Sequence, residues 1–164
     1  MSRSLSSVRK PVRRRGLQLR GRGGFTLIEL LTVLTMMGGL AALATGRTRM
    51  AIEQAKFAKA IGDIRSISAD IVAYQGAGNT LPAGLSDVDR AGMLDPWGRP
   101  YRYVDLTSGG TPRTDVFGIA LNTEFDVYSD GPDGASATSL ASAASQDDIV
   151  RANDGGYIGK GSRY

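Results

Sequence analysis

The sequence predicts an α+β protein in which a long N-terminal helix packs on a small antiparallel β-sheet that carries a C-terminal loop region. Three observations lead there. Residues 25–45 form an apolar run with one ionisable side chain, Glu29. Residues 46–76 continue with apolar residues at three- and four-residue spacing, as an amphipathic helix does. Beyond Gly76 the pattern changes to short segments of alternating aromatic and polar residues, separated by Gly and Pro.

Within the 164 residues the charge is unevenly spread. Of the 20 Lys and Arg, eight (Arg3, Arg9, Lys10, Arg13, Arg14, Arg15, Arg20 and Arg22) lie in residues 1–24, which contain no acid. The 12 that remain face 16 acidic residues, so the chain beyond Gly24 carries −4 while the whole carries +4. The basic balance belongs to the leader, which removes the main support for nucleic-acid binding. Basic residues beside an apolar helix instead keep that end cytoplasmic. There is no Cys and no His, which excludes disulfides, thiol nucleophiles, Cys/His zinc sites and the Ser-His-Asp arrangement.

The elements follow in order. A secretory signal is cut after its apolar segment, behind small residues, whereas the plausible cut here, after Gly24, precedes it. Phe25 to Thr45 would span ~30 Å as a helix, enough for a bilayer core. In the next stretch Ile61, Ile64, Ile67, Ile71 and Tyr74 form one stripe, with Lys59, Asp63, Arg65 and Asp70 largely between them. Gly62 weakens this part by ~1 kcal/mol relative to alanine. One helix from Phe25 to Tyr74 would be ~75 Å long.

The helix should end at Gly76-Ala77-Gly78, ahead of Pro82. Asp95-Pro96-Trp97-Gly98-Arg99-Pro100 bends the chain around its single Trp, which reads as an aromatic packing residue rather than a ligand cage. Tyr101, Tyr103 and Leu106 mark one strand, and Glu124 to Ser129, with Phe125 and Val127 alternating with polar residues, mark another.

Gly24-Phe25-Thr26-Leu27-Ile28-Glu29 followed by an apolar helix resembles the processing site of type IV pilin and type II secretion pseudopilin precursors. Independently, Asp95-Pro96-Trp97-Gly98 with Tyr101, then Phe125 to Ser129, Gly131, Asp133, Gly134 and Asp148-Ile149, resembles the soluble domain of the major pseudopilin of type II secretion. The resemblance implies a pilin-like fold with four parts: a basic prepilin leader (1–24), a transmembrane helix half (25–45), an amphipathic half (46–76) and a soluble β-rich domain (77–164). It implies cleavage between Gly24 and Phe25 by a prepilin peptidase and methyltransferase, with N-methylation of Phe25. A carboxylate in a membrane segment costs about 2.5 to 3.5 kcal/mol. Glu29 is therefore the assembly candidate: the α-amino group created at Phe25 would offer it, in a neighbouring subunit, a cationic partner. Where the family usually carries a proline, 22 residues into the processed chain, this sequence has Gly46.

Between Arg113 and Arg151 there is no basic residue, yet Glu124, Asp126, Asp130, Asp133, Asp147 and Asp148 occur there. Crowded carboxylates repel unless something positive joins them. Composition alone favours a solvated acidic loop over residues 129–149. The resemblance turns the expectation to a structural calcium site, with Asp133, Asp147 and Asp148 as side-chain ligands and Asp130 supplying its carbonyl or carboxylate. The Ala- and Ser-rich segment 135–146 is longer than the family's glycine-rich turn. The tail from Arg151 has no evident role.

The function expected from these readings is a structural pseudopilin subunit and not an enzyme. It would sit single-pass in the inner membrane, N-terminus cytoplasmic and C-terminal domain periplasmic. There it would assemble with itself, other pseudopilins and the inner-membrane secretion platform into a periplasmic pseudopilus that drives exoprotein export. A type IV pilus subunit is the nearest alternative, although such pilins usually close their C-terminal loop with a cysteine pair. A membrane-anchored enzyme using Asp126 and Asp133 as acid and base is a further alternative. A DNA-binding pilin is disfavoured by the acidity of the processed chain, and no nucleic-acid partner is expected.

Overall fold

A computed structural model describes residues 23–164 apart from residue 79, with the side chains of residues 43–47 also outside the description. The leader expected over residues 1–24 thus lies outside the described residues, except for Gly23 and Gly24. The chain divides between Leu43 and Ala44 into two units.

Helix α1 runs Leu27–Gly76. Thr26 starts it: its hydroxyl accepts the Glu29 N–H (3.3 Å) while Glu29 Oε2 accepts the Thr26 N–H (3.1 Å). This is a reciprocal capping box that satisfies two otherwise unpaired donors. In the first unit the apolar side chains point to solvent, with Phe25 85 %, Leu27 83 % and Leu40 69 % exposed. Among the described residues no helix is long and apolar enough to cross a membrane, and the span expected over 25–45 is described only in part. The helix begins only at Leu27, and the side chains of residues 43–45 lie outside the description.

The second unit holds four strands, β1 (Arg102–Asp105), β2 (Phe125–Ser129), β3 (Ile149–Ala152) and β4 (Tyr157–Lys160), in the order β1-β2-β3-β4. All neighbours are antiparallel, with Tyr103 opposite Val127, Tyr128 opposite Val150 and Arg151 opposite Ile158. The first two strands are those expected. The second half of β3 and all of β4 come from the tail that begins at Arg151, which had no evident role.

Alternation along β2 sends Phe125 and Val127 to one face and Tyr128 to the other. On the first face Ala60, Ile64, Ile67 and Ile71 of α1 meet Tyr101, Phe125, Val127 and Ile149. The predicted helical stripe is therefore the core, with its three central isoleucines fully buried. Truncating one of them to alanine would cost about 2 to 5 kcal/mol. On the opposite face Leu121, Leu140, Val150 and Ala152 form a smaller cluster against Tyr128 and Tyr157. Irregular chain covers this face: Thr114 donates to the Thr138 carbonyl (2.9 Å) and accepts from the Leu140 N–H (2.9 Å).

Trp97 packs as expected. Its ring lies 5.1 Å from that of Phe57, centroid to centroid, and its indole N–H reaches Glu53 Oε2 at 3.4 Å.

Candidate functional site

Two places carry the residues singled out by sequence: the start of α1, and the loop between β2 and β3. At the first, Gly24 and Phe25 are exposed and lie outside any regular element. Glu29 Oε2 also accepts the Thr26 hydroxyl (3.1 Å), so this carboxylate is the helix cap in the chain as described. The Thr-x-x-Glu spacing was readable as a capping box and went unremarked because the same glutamate was assigned to assembly.

At the second place each aspartate has its own partner. The Asp130 carboxylate is buried and its Oδ2 accepts both the Nε and an NH2 of Arg102, each at 3.1 Å. Its carbonyl accepts the Gly134 N–H (3.1 Å) and closes a turn. Asp133 is exposed; its Oδ1 accepts the Ala135 N–H (2.8 Å) and its own N–H points to Asp147 Oδ2 (3.3 Å). Asp148 is fully buried. Its Oδ2 takes a guanidinium N–H of Arg113 at 2.5 Å and the Ser136 hydroxyl at 2.6 Å, while Oδ1 has no protein partner. Burial pushes this carboxyl up to about 6, against the downward pull of Ser136 and Arg113.

Arg113 is also buried. Its guanidinium carbon lies 4.1 Å from the centre of the Tyr128 ring, and a second amino group donates to the Ser136 hydroxyl (2.6 Å). Arg99 adds a third guanidinium, donating to the Gly131 carbonyl at 2.7 Å and the Pro132 carbonyl at 3.4 Å. It lies so close over Gly134 that a Cβ there would fall 2.3 Å from the guanidinium.

Calcium needs six to eight oxygens turned toward one point. Among the described residues no three Asp or Glu are grouped to hold a metal ion. In this arrangement arginines take one carboxylate oxygen each of Asp130 and Asp148 and two loop carbonyls, while Asp148 Oδ1 is left without a protein partner.

The pair Asp126 and Asp133, weighed as acid and base, is not brought together for that role. Asp126 is buried and saturated, its Oδ2 accepting the Arg113 N–H (2.8 Å) and its Oδ1 the Asn122 amide (2.7 Å). Asn122 in turn accepts from Arg151 (3.0 Å), which also donates to the Phe125 carbonyl (3.0 Å) and lies 4.0 Å over the Phe125 ring. Burial pulls the Arg151 guanidinium below its ordinary pKa. Arg113 and Arg151 are the residues that sequence reading missed: their hydrogen bonds go mainly to groups more than 20 positions away, although Arg151 also lies 3.8 Å from Asp154, three positions on.

The architecture defines a class of subunit in which an α+β unit continues into a helix with solvent-facing apolar side chains. The chain is 32 % identical over 139 residues to the type II secretion system core protein G of Pseudomonas aeruginosa, covering 72 % of this chain and 89 % of that one. It is 27 % identical over 129 residues to the protein of the same name from Aeromonas hydrophila, covering 66 % and 89 %. No family model matches the chain, and no solved structure does. The chain belongs to the type II secretion system core protein G family. It is a pseudopilin subunit of a type II secretion system.

Proposed function

We propose that this pseudopilin is processed between Gly24 and Phe25 by a prepilin peptidase, methylated at Phe25, and assembled through the first part of α1 into a pseudopilus at the inner membrane. The protein performs no chemistry of its own. Its work is polymerisation with itself and other pseudopilins on the membrane platform, and the growing filament moves exoproteins outward.

The observation that carries this reading is the exposure of the apolar side chains from Phe25 to Leu40, in the first part of α1 and just before it. Eight further large apolar residues between these positions, Val33 and Met36 among them, are each at least half exposed. An apolar surface of that extent demands lipid or another apolar surface. Before assembly it rests in the inner membrane, with the basic leader cytoplasmic and the second unit periplasmic. In the filament it packs against the same segment of neighbouring subunits. Glu29, in the first turn of the helix, then exchanges its Thr26 cap for the α-amino group at Phe25 of a neighbour, so that neither charge enters the bundle alone.

Intact mass and N-terminal sequencing of the protein from its native membrane test this. A chain beginning at Phe25 and one methyl group heavier than the unmodified one is expected. An uncut chain in cells with an active prepilin peptidase would refute the processing and with it the assembly route.

A further inference from the structure

We propose that the loop 129–149 is closed by guanidinium groups of the chain itself, with Arg113 on Asp148 as the central pair, so that the folded domain needs no calcium. The inference rests on the geometry of the second unit and does not depend on the secretion role.

Four of the loop oxygens that could face a divalent ion face arginines instead. Arg113 takes Asp148 Oδ2, Arg102 takes Asp130 Oδ2, and Arg99 takes the carbonyls of Gly131 and Pro132. Arg113 is the strongest of these because both partners are withdrawn from water, its side chain 5 % exposed and that of Asp148 not at all. A buried charge pair holds only where its geometry is good and further hydrogen bonds assist it. Here Ser136 bridges both members, Tyr128 offers a ring face to the cation, and the Arg113 backbone N–H is fixed by Asp126.

The rest of the loop is tied by neutral bonds that also need no ion. The Ser145 hydroxyl bonds both the N–H and the carbonyl of Ala137 (2.9 Å each), and the Gln146 amide donates to the Leu140 carbonyl (2.6 Å). Two backbone bonds from Gly161 to Asp148 and from Ser162 to Gln146 then join the loop to the chain end. A guanidinium placed on Asp148 also repels an incoming cation at short range. The same arginine that stabilises the loop therefore guards it against the metal.

The test is thermal unfolding of the full-length protein in mild detergent, with millimolar calcium and separately with a chelator, followed by Trp97 fluorescence. The midpoint is expected to be the same in both within about 2 °C, and Arg113→Met is expected to lower it by about 10 °C, the loss typical of a severed buried pair. Arg113→Met/Asp148→Asn, which removes both charges, should recover at least half of that loss even if the single variant does not fold. A rise of about 5 °C or more with calcium in the unsubstituted protein would overturn the proposal. So would a double variant no more stable than Arg113→Met.

Discussion

Tyr103 shows how one buried hydroxyl ties stability to pH. Its O–H donates to the Pro82 carbonyl at 2.8 Å, holding the turn after α1 against the sheet. Burial, then the charges of Asp105 and Asp87, pushes its phenol from the ordinary 10.0 up to about 12. The folded state thus favours the neutral phenol more than the unfolded chain does. That contribution is complete below pH 10, where both states are protonated, and is lost as pH rises through the folded value near 12. Tyr101, which donates to Asp63 Oδ2 (2.8 Å), shifts in the same direction, with burial as the leading cause. The unfolding midpoint is therefore expected to fall steeply between pH 10 and 12, and Tyr103→Phe should flatten part of that fall while costing about 1 kcal/mol at neutral pH. Unfolding curves by near-ultraviolet circular dichroism across this range decide it. A variant that loses stability in parallel with the parent would show that Tyr103 is not the group responsible.

Two turns in the second unit have the same construction and opposite surroundings. In Asp95 to Arg99 the carboxylate Oδ1 accepts the N–H groups of Trp97 (3.0 Å) and Arg99 (2.9 Å), and in Asp115 to Ile119 it accepts those of Phe117 (2.8 Å) and Ile119 (2.8 Å). Each turn is closed by a bridge, Leu94 to Pro100 and Thr114 to Ala120, and each places a glycine at positive φ after the aromatic residue. Trp97 then seats against Phe57, whereas Phe117 stands 84 % exposed. Trp97→Ala is expected to cost about 2 to 3 kcal/mol, and Phe117→Ser less than about 0.5, in denaturant unfolding of each variant. Equal losses would mean that Phe117 packs within its own subunit. The first turn was legible from its prolines, but the second, with neither proline nor tryptophan, was not. Likewise β1 and β2 alternate and were found, while Ile149 to Ala152 is buried at all four positions and Tyr157 to Lys160 contains a glycine, so neither shows a period of two. The arginine partners of the acidic loop were hidden for a further reason. Charge counted along the chain found no cation between Arg113 and Arg151, whereas the fold brings Arg99 and Arg102 to the loop from β1 and the turn before it, and turns Arg113 inward from its edge.

The division between Leu43 and Ala44 separates two tasks that the sequence joins in one helix. Beyond it lie both apolar clusters, all four strands and the Arg113–Asp148 pair. Before it, the described side chains are exposed and contribute nothing to either cluster. Stability should therefore reside in residues 44–164, and the first unit should set only whether subunits associate. A fragment Ala44–Tyr164 retains Ala60, Ile64, Ile67 and Ile71, the helical side of the main core, and loses only the helical turns of the first unit. Those turns add little, since an isolated helix of such length is marginal in water. The fragment is thus expected to unfold in one cooperative step, with a midpoint within about 3 °C of the full chain in the same detergent, a shift of no more than about 1 kcal/mol. It should also remain monomeric on sedimentation where the full chain self-associates once the detergent is diluted. A fragment that unfolds without cooperativity would mean that the first part of α1 is needed to hold the second on the sheet, and that folding and assembly are one event in this protein.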